Sequence, residues 1–154
     1  MQVKDLAAEP PRRWTEELGG VRWLPRLIDK TRAALAGTLG DYLYGQSPVD
    51  RGLLRALGLR YRDFTAVVRE AASDDAVLRE LEGSVPAGLL AARRWSRSLP
   101  RTHGVFLFAI DLDDGYLGAP WTLLKRPANF ASATFTRWLK RRFPSRAVDG
   151  APPS

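Results

Sequence analysis

The feature that most constrains this sequence is a series of apolar stripes with helical spacing, separated from one another by proline, glycine or polar capping residues. The clearest stripe lies between Pro25 and Gly37, and its members are Leu24, Leu27, Ile28, Thr31 and Leu35. Proline suits the first position of a helix and glycine the residue just past its end, so we predict a helix between them. The opposite face of this helix carries the charged residues Arg22, Arg26, Asp29 and Lys30.

Similar signals predict further helices along the chain. Ser47-Pro48 is typical of a cap followed by a first-turn proline, and Ser73 before two aspartates is typical of an acidic N-terminal cap. We therefore predict helices from Pro48 to a stop at Gly58, over about 60–72, from Asp74 onwards, over about 86–99 before Pro100, and over about 128–143.

Two segments are less clear. Thr15 to Glu17 can form a single helical turn that Gly19-Gly20 ends. The continuous apolar run Val105–Ile110 suits either a buried strand or a buried helix, and its helical neighbourhood favours a helix.

These patterns together predict a mainly α fold, a compact bundle or orthogonal array of five to six helices, with one candidate short strand near 105–110. We expect residues 1–13 to form an extended or loosely packed N-terminal arm, because they hold few core-forming side chains and two adjacent prolines. Residues 14–146 are predicted to be a single helical domain and residues 147–154 a disordered tail.

Composition limits the chemistry. The chain of 154 residues contains no cysteine, which excludes disulfides, thiolate nucleophiles and cysteine-bound zinc, and fits a reducing compartment. The first residues lack the apolar core of a secretory signal. The longest apolar run, Val105–Ile110, is far shorter than the roughly 20 residues that a membrane span needs. We therefore expect a cytoplasmic protein without a transmembrane segment.

The net charge of +7 is concentrated near the C-terminus. Seven basic residues and no acidic one lie between Lys125 and Arg146, whereas the rest of the chain holds 17 of each sign. A local excess of this kind attracts polyanions, so nucleic acid is the favoured partner, through Lys125, Arg126, Arg137, Lys140, Arg141 and Arg142. Two alternatives remain open: seating of the last helix in a membrane interface by its aromatic residues, and a solvated helix end without a partner.

A second cluster of polar residues suggests a small anionic ligand. If the turn at 37–40 folds the chain back, arginine, aspartate and tyrosine side chains converge on one surface. A guanidinium group supplies two parallel hydrogen-bond donors and a phenol adds one more, so such a cluster can bind a small anion. The candidate ligand-binding residues are Arg26, Asp29, Lys30, Tyr42, Tyr44, Asp50 and Arg51. The alternative is a structural network in which Arg26 pairs with Asp29 along the helix and Asp50 caps or pairs with Arg51.

Catalysis and metal binding have little support. The one histidine, His103, stands at the start of an element, where capping or exposure is commoner than catalysis. The aspartates at 111, 113 and 114 lack the downstream glutamate of a calcium loop, and the arginines near Asp29 would compete with a cation. We predict no catalytic residue, no metal and no cofactor. A non-enzymatic binding or regulatory domain is the leading hypothesis. The alternatives are a small-molecule-binding protein or enzyme with a pocket around Arg26, Asp29, Tyr42 and Asp50, and a structural or oligomerising protein.

One resemblance adds to this interpretation. The segments WLPRLIDKTR at 23–32 and GTLGDYLYG at 37–45, followed by PVDR at 48–51, Leu54, the Phe64 helix and the Asp74-Asp75 cap, resemble the bacterial family called domain of unknown function 5069. The similarity extends over residues 5–82 and weakens after residue 83, and the basic last helix departs from the family pattern. The resemblance implies a compact bacterial cytoplasmic domain and no particular activity.

Overall fold

The structure is a computed structural model that describes residues 3–118 of the chain. About 62% of these residues are helical, and the described part contains one two-stranded sheet, so the mainly α fold is confirmed. The elements in chain order are β1 Glu17–Leu18, β2 Val21–Arg22, α1 Leu24–Ala36, α2 Pro48–Leu57, α3 Tyr61–Glu70, α4 Asp74–Ser84 and α5 Pro86–Asp113.

The predicted helix ends are confirmed at four positions. Gly37 and Gly58 follow α1 and α2 with φ of 75° and 71°, a left-handed conformation that glycine adopts without a Cβ clash. At the starts of α2 and α4, the hydroxyl oxygens of Ser47 and Ser73 accept a backbone N–H three residues later, each at 3.1 Å. These caps satisfy N–H groups that a helix leaves without an internal partner.

The prediction of a helical turn at Thr15 to Glu17 is wrong, because this segment enters a β-hairpin. Strands β1 and β2 are antiparallel, and Leu18 pairs with Val21 across the turn. The two turn residues, Gly19 and Gly20, have φ of 57° and 76°. A two-residue hairpin turn of this kind needs positive φ at both positions, which explains why Gly-Gly closes a hairpin here rather than ending a helix.

The prediction that Pro100 stops a helix is also wrong. The helix α5 passes through Pro100 and the apolar run Val105–Ile110, so the favoured interpretation of that run as helix is confirmed. A break in helical geometry comes at His103, with φ −132° and ψ 17°. Proline lacks one backbone N–H and crowds the turn that precedes it, whereas the break lies three residues after Pro100, so the helix accommodates the proline itself.

The described residues fall into two compact units, 3–97 and 98–118. Within the first unit α1 is the central element, since nine of its thirteen residues are buried, including charged ones. It packs against α3 and β1. The N-terminal arm, residues 3–13, lies alongside: Leu6 is 4% exposed, and its N–H donates to the carbonyl of Thr38 at 2.9 Å. Residues 3–13 therefore contain no helix or strand, but Leu6 anchors them to the loop that follows α1.

Among residues 3–118 no helix is long and apolar enough to cross a membrane. The predicted helix over 128–143 and the predicted tail 147–154 lie outside the described residues, as does the last part of the predicted domain 14–146.

Candidate functional site

The charged face of α1 is buried in the first unit instead of facing water. Arg26, Asp29 and Lys30 are 3%, 7% and 3% exposed, and Asp50 of α2 is completely buried. Burying a charge is costly unless it is paired and hydrogen-bonded, so each of these groups needs a partner. The partners divide the face into two ionic centres.

The first centre joins α1 to α2 through Lys30 and Asp50, and we call it the Lys30–Asp50 centre. The ammonium nitrogen of Lys30 lies 2.6 Å from each carboxylate oxygen of Asp50 and donates a third bond to the carbonyl of Leu43 at 3.0 Å. These three bonds match the three N–H donors of lysine. Asp50 also accepts from the backbone N–H of Gly45 at 3.1 Å. The centre thereby fastens the loop before α2 to α1.

Trp23 completes this centre. Its indole N–H donates to Asp50 Oδ1 at 2.8 Å, and its ring lies 5.4 Å from the Lys30 ammonium. Trp23 precedes α1 with φ 70°, and it is the one non-glycine residue among those described that has a positive φ. An aromatic residue in this conformation is strained, and the strain persists because the ring is 1% exposed and hydrogen-bonded.

The second centre, the arginine cluster, consists of Arg12, Asp29, Arg32 and Asp74. Arg12 of the arm binds the Asp29 carboxylate through Nε at 3.0 Å and Nη2 at 2.7 Å. Its Nη1 donates to Asp74 Oδ2 at 2.5 Å, and its backbone N–H donates to Asp29 at 2.8 Å. Burial alone would lower the pKa of Arg12, but the bonds to both carboxylates outweigh it and raise the pKa above its ordinary value.

Arg32 shares Asp74 with Arg12 but uses fewer of its donors. Its Nη1 donates to Asp74 Oδ1, and the side chain is 10% exposed. Nε and Nη2 of Arg32 are buried and have no hydrogen-bond partner among the described residues. Burial would raise the pKa of Asp74, but the hydrogen bonds from Arg12 and Arg32 dominate, so its pKa lies below the ordinary value.

Arg26 lies between the two centres and contacts aromatic rings. Its guanidinium carbon is 5.3 Å from the Trp23 ring centroid and 5.7 Å from that of Tyr42, distances typical of cation–π contacts. Its Nη1 donates to the carbonyls of Pro11 and Arg12 at 3.4 and 3.2 Å. Arg26 and Tyr42 therefore meet against the backbone of the arm.

Tyr44 belongs to the packing around α3. Its hydroxyl lies 2.6 Å from Thr65 Oγ1, and its ring centroid is 4.2 Å from that of Tyr61 at an angle of 46°. Burial raises the pKa of both tyrosines, so the two phenols stay protonated at neutral pH. The side chain of Arg51, in contrast, is exposed on α2.

The predicted ligand residues are divided: Lys30 and Asp50 form one centre, Asp29 belongs to the arginine cluster, and Arg26 contacts Tyr42. Tyr44 packs against α3, and Arg51 is exposed. Asp29 pairs with Arg12 and Asp50 with Lys30, and the expected pairs Arg26–Asp29 and Asp50–Arg51 stay predictions. Sequence reasoning named neither Arg12 nor Trp23 as a site residue, and it treated Asp74 as a cap only. Nothing local signals these partners, since Arg12 reaches Asp74 across 62 positions. Ligand binding by these groups stays a prediction.

Other candidate groups add little. His103 Nδ1 lies 2.8 Å from the hydroxyl of Thr102 beside it. Among residues 3–118 no three metal-ligating side chains form a group that could hold a metal ion. The predicted nucleic-acid contacts, Lys125, Arg126, Arg137, Lys140, Arg141 and Arg142, lie outside the described residues.

Comparison with known proteins gives a family and no activity. No curated protein matches the sequence. A family model described as "Domain of unknown function (DUF5069)" matches residues 8–101, a range that contains both ionic centres and excludes the basic segment after residue 124. On the strength of this match over more than half of its length, the chain belongs to the DUF5069 family.

Proposed function

We propose that this protein is a non-enzymatic binding domain that contacts a polyanion, nucleic acid foremost, through its basic C-terminal segment, residues 125–146. The observation that carries the proposal is the position of the charge. Residues 1–118 hold 17 of the 24 basic residues and 16 of the 17 acidic residues. The other seven basic residues lie in the segment 125–146, and the remaining acidic residue is Asp149. The first 118 residues are therefore close to neutral, and the excess belongs to the end of the chain.

Contacts within the described part support this division. The buried Lys30 and the partly buried Arg12 and Arg32 are bound to carboxylates. On the surface Arg22 pairs with Glu17 and Arg60 with Asp63, each at 2.8 Å. Charges balanced at such short range produce little field at a distance, so residues 125–146 dominate the long-range attraction.

Nucleic acid is favoured over a membrane surface because the segment carries seven positive charges in 22 residues with no acidic residue between them. A nucleic-acid backbone presents phosphates at comparable density, and each phosphate contact releases a condensed counterion. Binding of this kind weakens steeply as the salt concentration rises.

The test measures binding of a 20-nucleotide RNA and a 20-base-pair DNA by fluorescence anisotropy at several salt concentrations. We expect binding at low salt, with a slope of log affinity against log salt that becomes shallower by about 2–3 when Arg137, Lys140 and Arg141 are changed to glutamate. The matched control reverses the exposed arginines Arg55, Arg69 and Arg79, which lie in the described helices.

Three outcomes would overturn the proposal: no binding at low salt, equal losses in the two triple variants, or binding to anionic lipid vesicles without binding to either nucleic acid. The last outcome would assign the segment to a membrane surface instead.

A further inference from the structure

The helices α2 and α5 approach each other closely at two glycines of the first unit. A Cβ at Gly52 would lie 2.7 Å from Cζ2 of the Trp95 ring, and a Cβ at Gly88 would lie 2.1 Å from the carbonyl oxygen of Leu57. Both approaches therefore need a residue without a side chain. Because position 52 meets position 95 and position 57 meets position 88, the two helices run in opposite directions along this contact, which we call the α2–α5 seam.

One side of the seam faces the core and the other faces solvent. Leu53 and Ser96, which directly follow the contact residues 52 and 95, are both 0% exposed. Arg51 and Arg94, which directly precede them, are both exposed. Successive residues of a helix differ by about 100°, and in antiparallel helices the two preceding positions lie on the same side of the contact. Arg51 and Arg94 thus share the solvent side, and Arg97 is exposed one turn further along α5.

This solvent side, which we call the α2–α5 face, consists of Arg51, Arg94 and Arg97 and has no acidic neighbour on its own helices. The one acidic residue of α2, Asp50, is completely buried, and α5 has no acidic residue before Asp111. Among residues 3–118, no carboxylate forms an ion pair with Arg94 or Arg97. The positive charge of this face is therefore available to a partner.

The neighbouring Arg93 shows the opposite arrangement. Its Nε donates to the carbonyl oxygen of Gly19 at 2.6 Å, and its Nη2 lies 3.8 Å from a carboxylate oxygen of Glu82 on α4. α4 itself carries four acidic residues and one arginine. Acidic and basic residues of the described part are therefore segregated: the acidic ones are concentrated on α4, and exposed arginines on the α2–α5 face.

We propose that the α2–α5 face is a second contact surface for the nucleic acid that the basic C-terminal segment binds, and this inference rests on the proposed function. Arginine matches a phosphate backbone because its guanidinium donates paired hydrogen bonds to phosphate oxygens. A membrane surface fits this face less well, since a helix that lies on a membrane buries an apolar side. Among residues 3–97, Val3 and Leu90 are the exposed large hydrophobic residues.

The test uses the full chain and measures binding of the 20-nucleotide RNA and the 20-base-pair DNA by fluorescence anisotropy at several salt concentrations. One variant changes Arg51, Arg94 and Arg97 to glutamine. Because each phosphate contact that is lost reduces the number of released counterions, we expect the slope of log affinity against log salt for the DNA to become shallower by about 2–3.

The matched control changes Arg60, Arg69 and Arg79 to glutamine. It removes the same number of exposed charges from the sides of α3 and α4, and we expect its slope to change by less than about 1. Arg55, one turn after Arg51 on α2, can add at most one further contact. The control triple that contains Arg55 should therefore still lose less than the C-terminal triple does.

A second measurement on the wild-type chain does not depend on the folding of any variant. Arginine side chains are modified with phenylglyoxal in the absence and presence of saturating RNA, and the modified sites are located by mass spectrometry. We expect RNA to slow the modification of Arg94 and Arg97 several-fold and to leave that of Arg69 and Arg79 unchanged.

Equal slopes in the α2–α5 variant and its control, or modification of Arg94 and Arg97 that RNA does not slow, would overturn this inference. The proposed function survives that result if reversal of the C-terminal triple still weakens binding. Weaker binding in the α2–α5 variant alone would support the inference and overturn the role of the C-terminal segment. Protection by anionic lipid vesicles or polyglutamate, with none from RNA or DNA, would overturn the choice of nucleic acid.

Discussion

The two ionic centres on α1 both pair charged residues of this helix with partners from elsewhere in the chain, and they differ in burial and in how fully their donors are used. In the Lys30–Asp50 centre, three N–H donors of lysine meet three acceptors, and the carboxylate takes further bonds from Trp23 and Gly45. In the arginine cluster, Arg12 uses the side-on edge of its guanidinium, formed by Nε and Nη2, while Arg32 leaves the same edge without an acceptor. The first centre uses all three donors of its lysine, and the second leaves two buried donors of Arg32 without an acceptor among the described residues.

The comparison teaches that burial of a charge does not by itself indicate a ligand site. Lys30 and Asp50 are among the most buried of the predicted ligand residues, yet their bonds connect α1, α2 and the loop before α2. Counting the hydrogen bonds of each charged group distinguishes a structural ion pair from a ligand site, because a pair whose donors are all bonded within the protein has no donor for a ligand.

Asp50→Asn should destabilise the protein most, by about 3–5 kcal/mol in the free energy of unfolding. The change leaves the Lys30 ammonium buried opposite a neutral amide, and one of the two acceptors it now uses becomes an N–H₂ donor. Urea denaturation followed by circular dichroism measures the change. Asp63→Asn, which removes a carboxylate from an exposed pair with Arg60, is the control and should show no resolvable effect. Equal effects of the two changes would contradict the structural role of the Lys30–Asp50 centre.

Arg12→Ala should cost about 2 kcal/mol, less than the first change because Arg12 is 25% exposed and water can partly replace its bonds. It removes the partner of Asp29 and the tie between the arm and α4. Urea denaturation gives the free energy, and limited proteolysis should cut the arm before residue 14 much faster than in the wild type. Arg22→Ala, which breaks the exposed pair with Glu17, should leave the arm as protected as before.

Acid should weaken the arginine cluster through Asp74. Its pKa lies below the ordinary value of 3.8, so its contribution to stability is complete above that value and is lost as the pH falls through the folded-state pKa. Unfolding free energies measured from pH 7 downwards should fall less steeply below pH 4 in Asp74→Asn than in the wild type. Parallel curves for the two proteins would show that Asp74 is not bound to Arg12 and Arg32 in solution.

Arg32→Met should have the smallest effect on stability, within about 1 kcal/mol. The change removes two buried donors that lack acceptors, and Asp74 keeps its bond to Arg12. Thermal unfolding in chloride buffer measures it. A loss as large as that of Asp50→Asn would mean that the side-on edge of Arg32 is satisfied within the protein, and the contrast between the two centres would disappear.

The extent to which the sequence predicted the fold follows from how local each signal is. The caps at Ser47 and Ser73 and the stops at Gly37 and Gly58 were predictable because each acts through residues three or four positions away. The predictions at Gly19-Gly20 and Pro100 were wrong because glycine occurs both at helix ends and in hairpin turns, and because a helix can accommodate an internal proline.

The sequence by itself determined that α1 has a charged face, since helical spacing places Arg26, Asp29 and Lys30 on one side. Only the tertiary structure decided that this face is buried, because its partners come from 17 positions away in Arg12 and 20 positions away in Asp50. Spacing within a helix is the same whether a face meets water or protein. Which donors stay without an acceptor, as in Arg32, depends on those distant partners and on nothing within the helix itself.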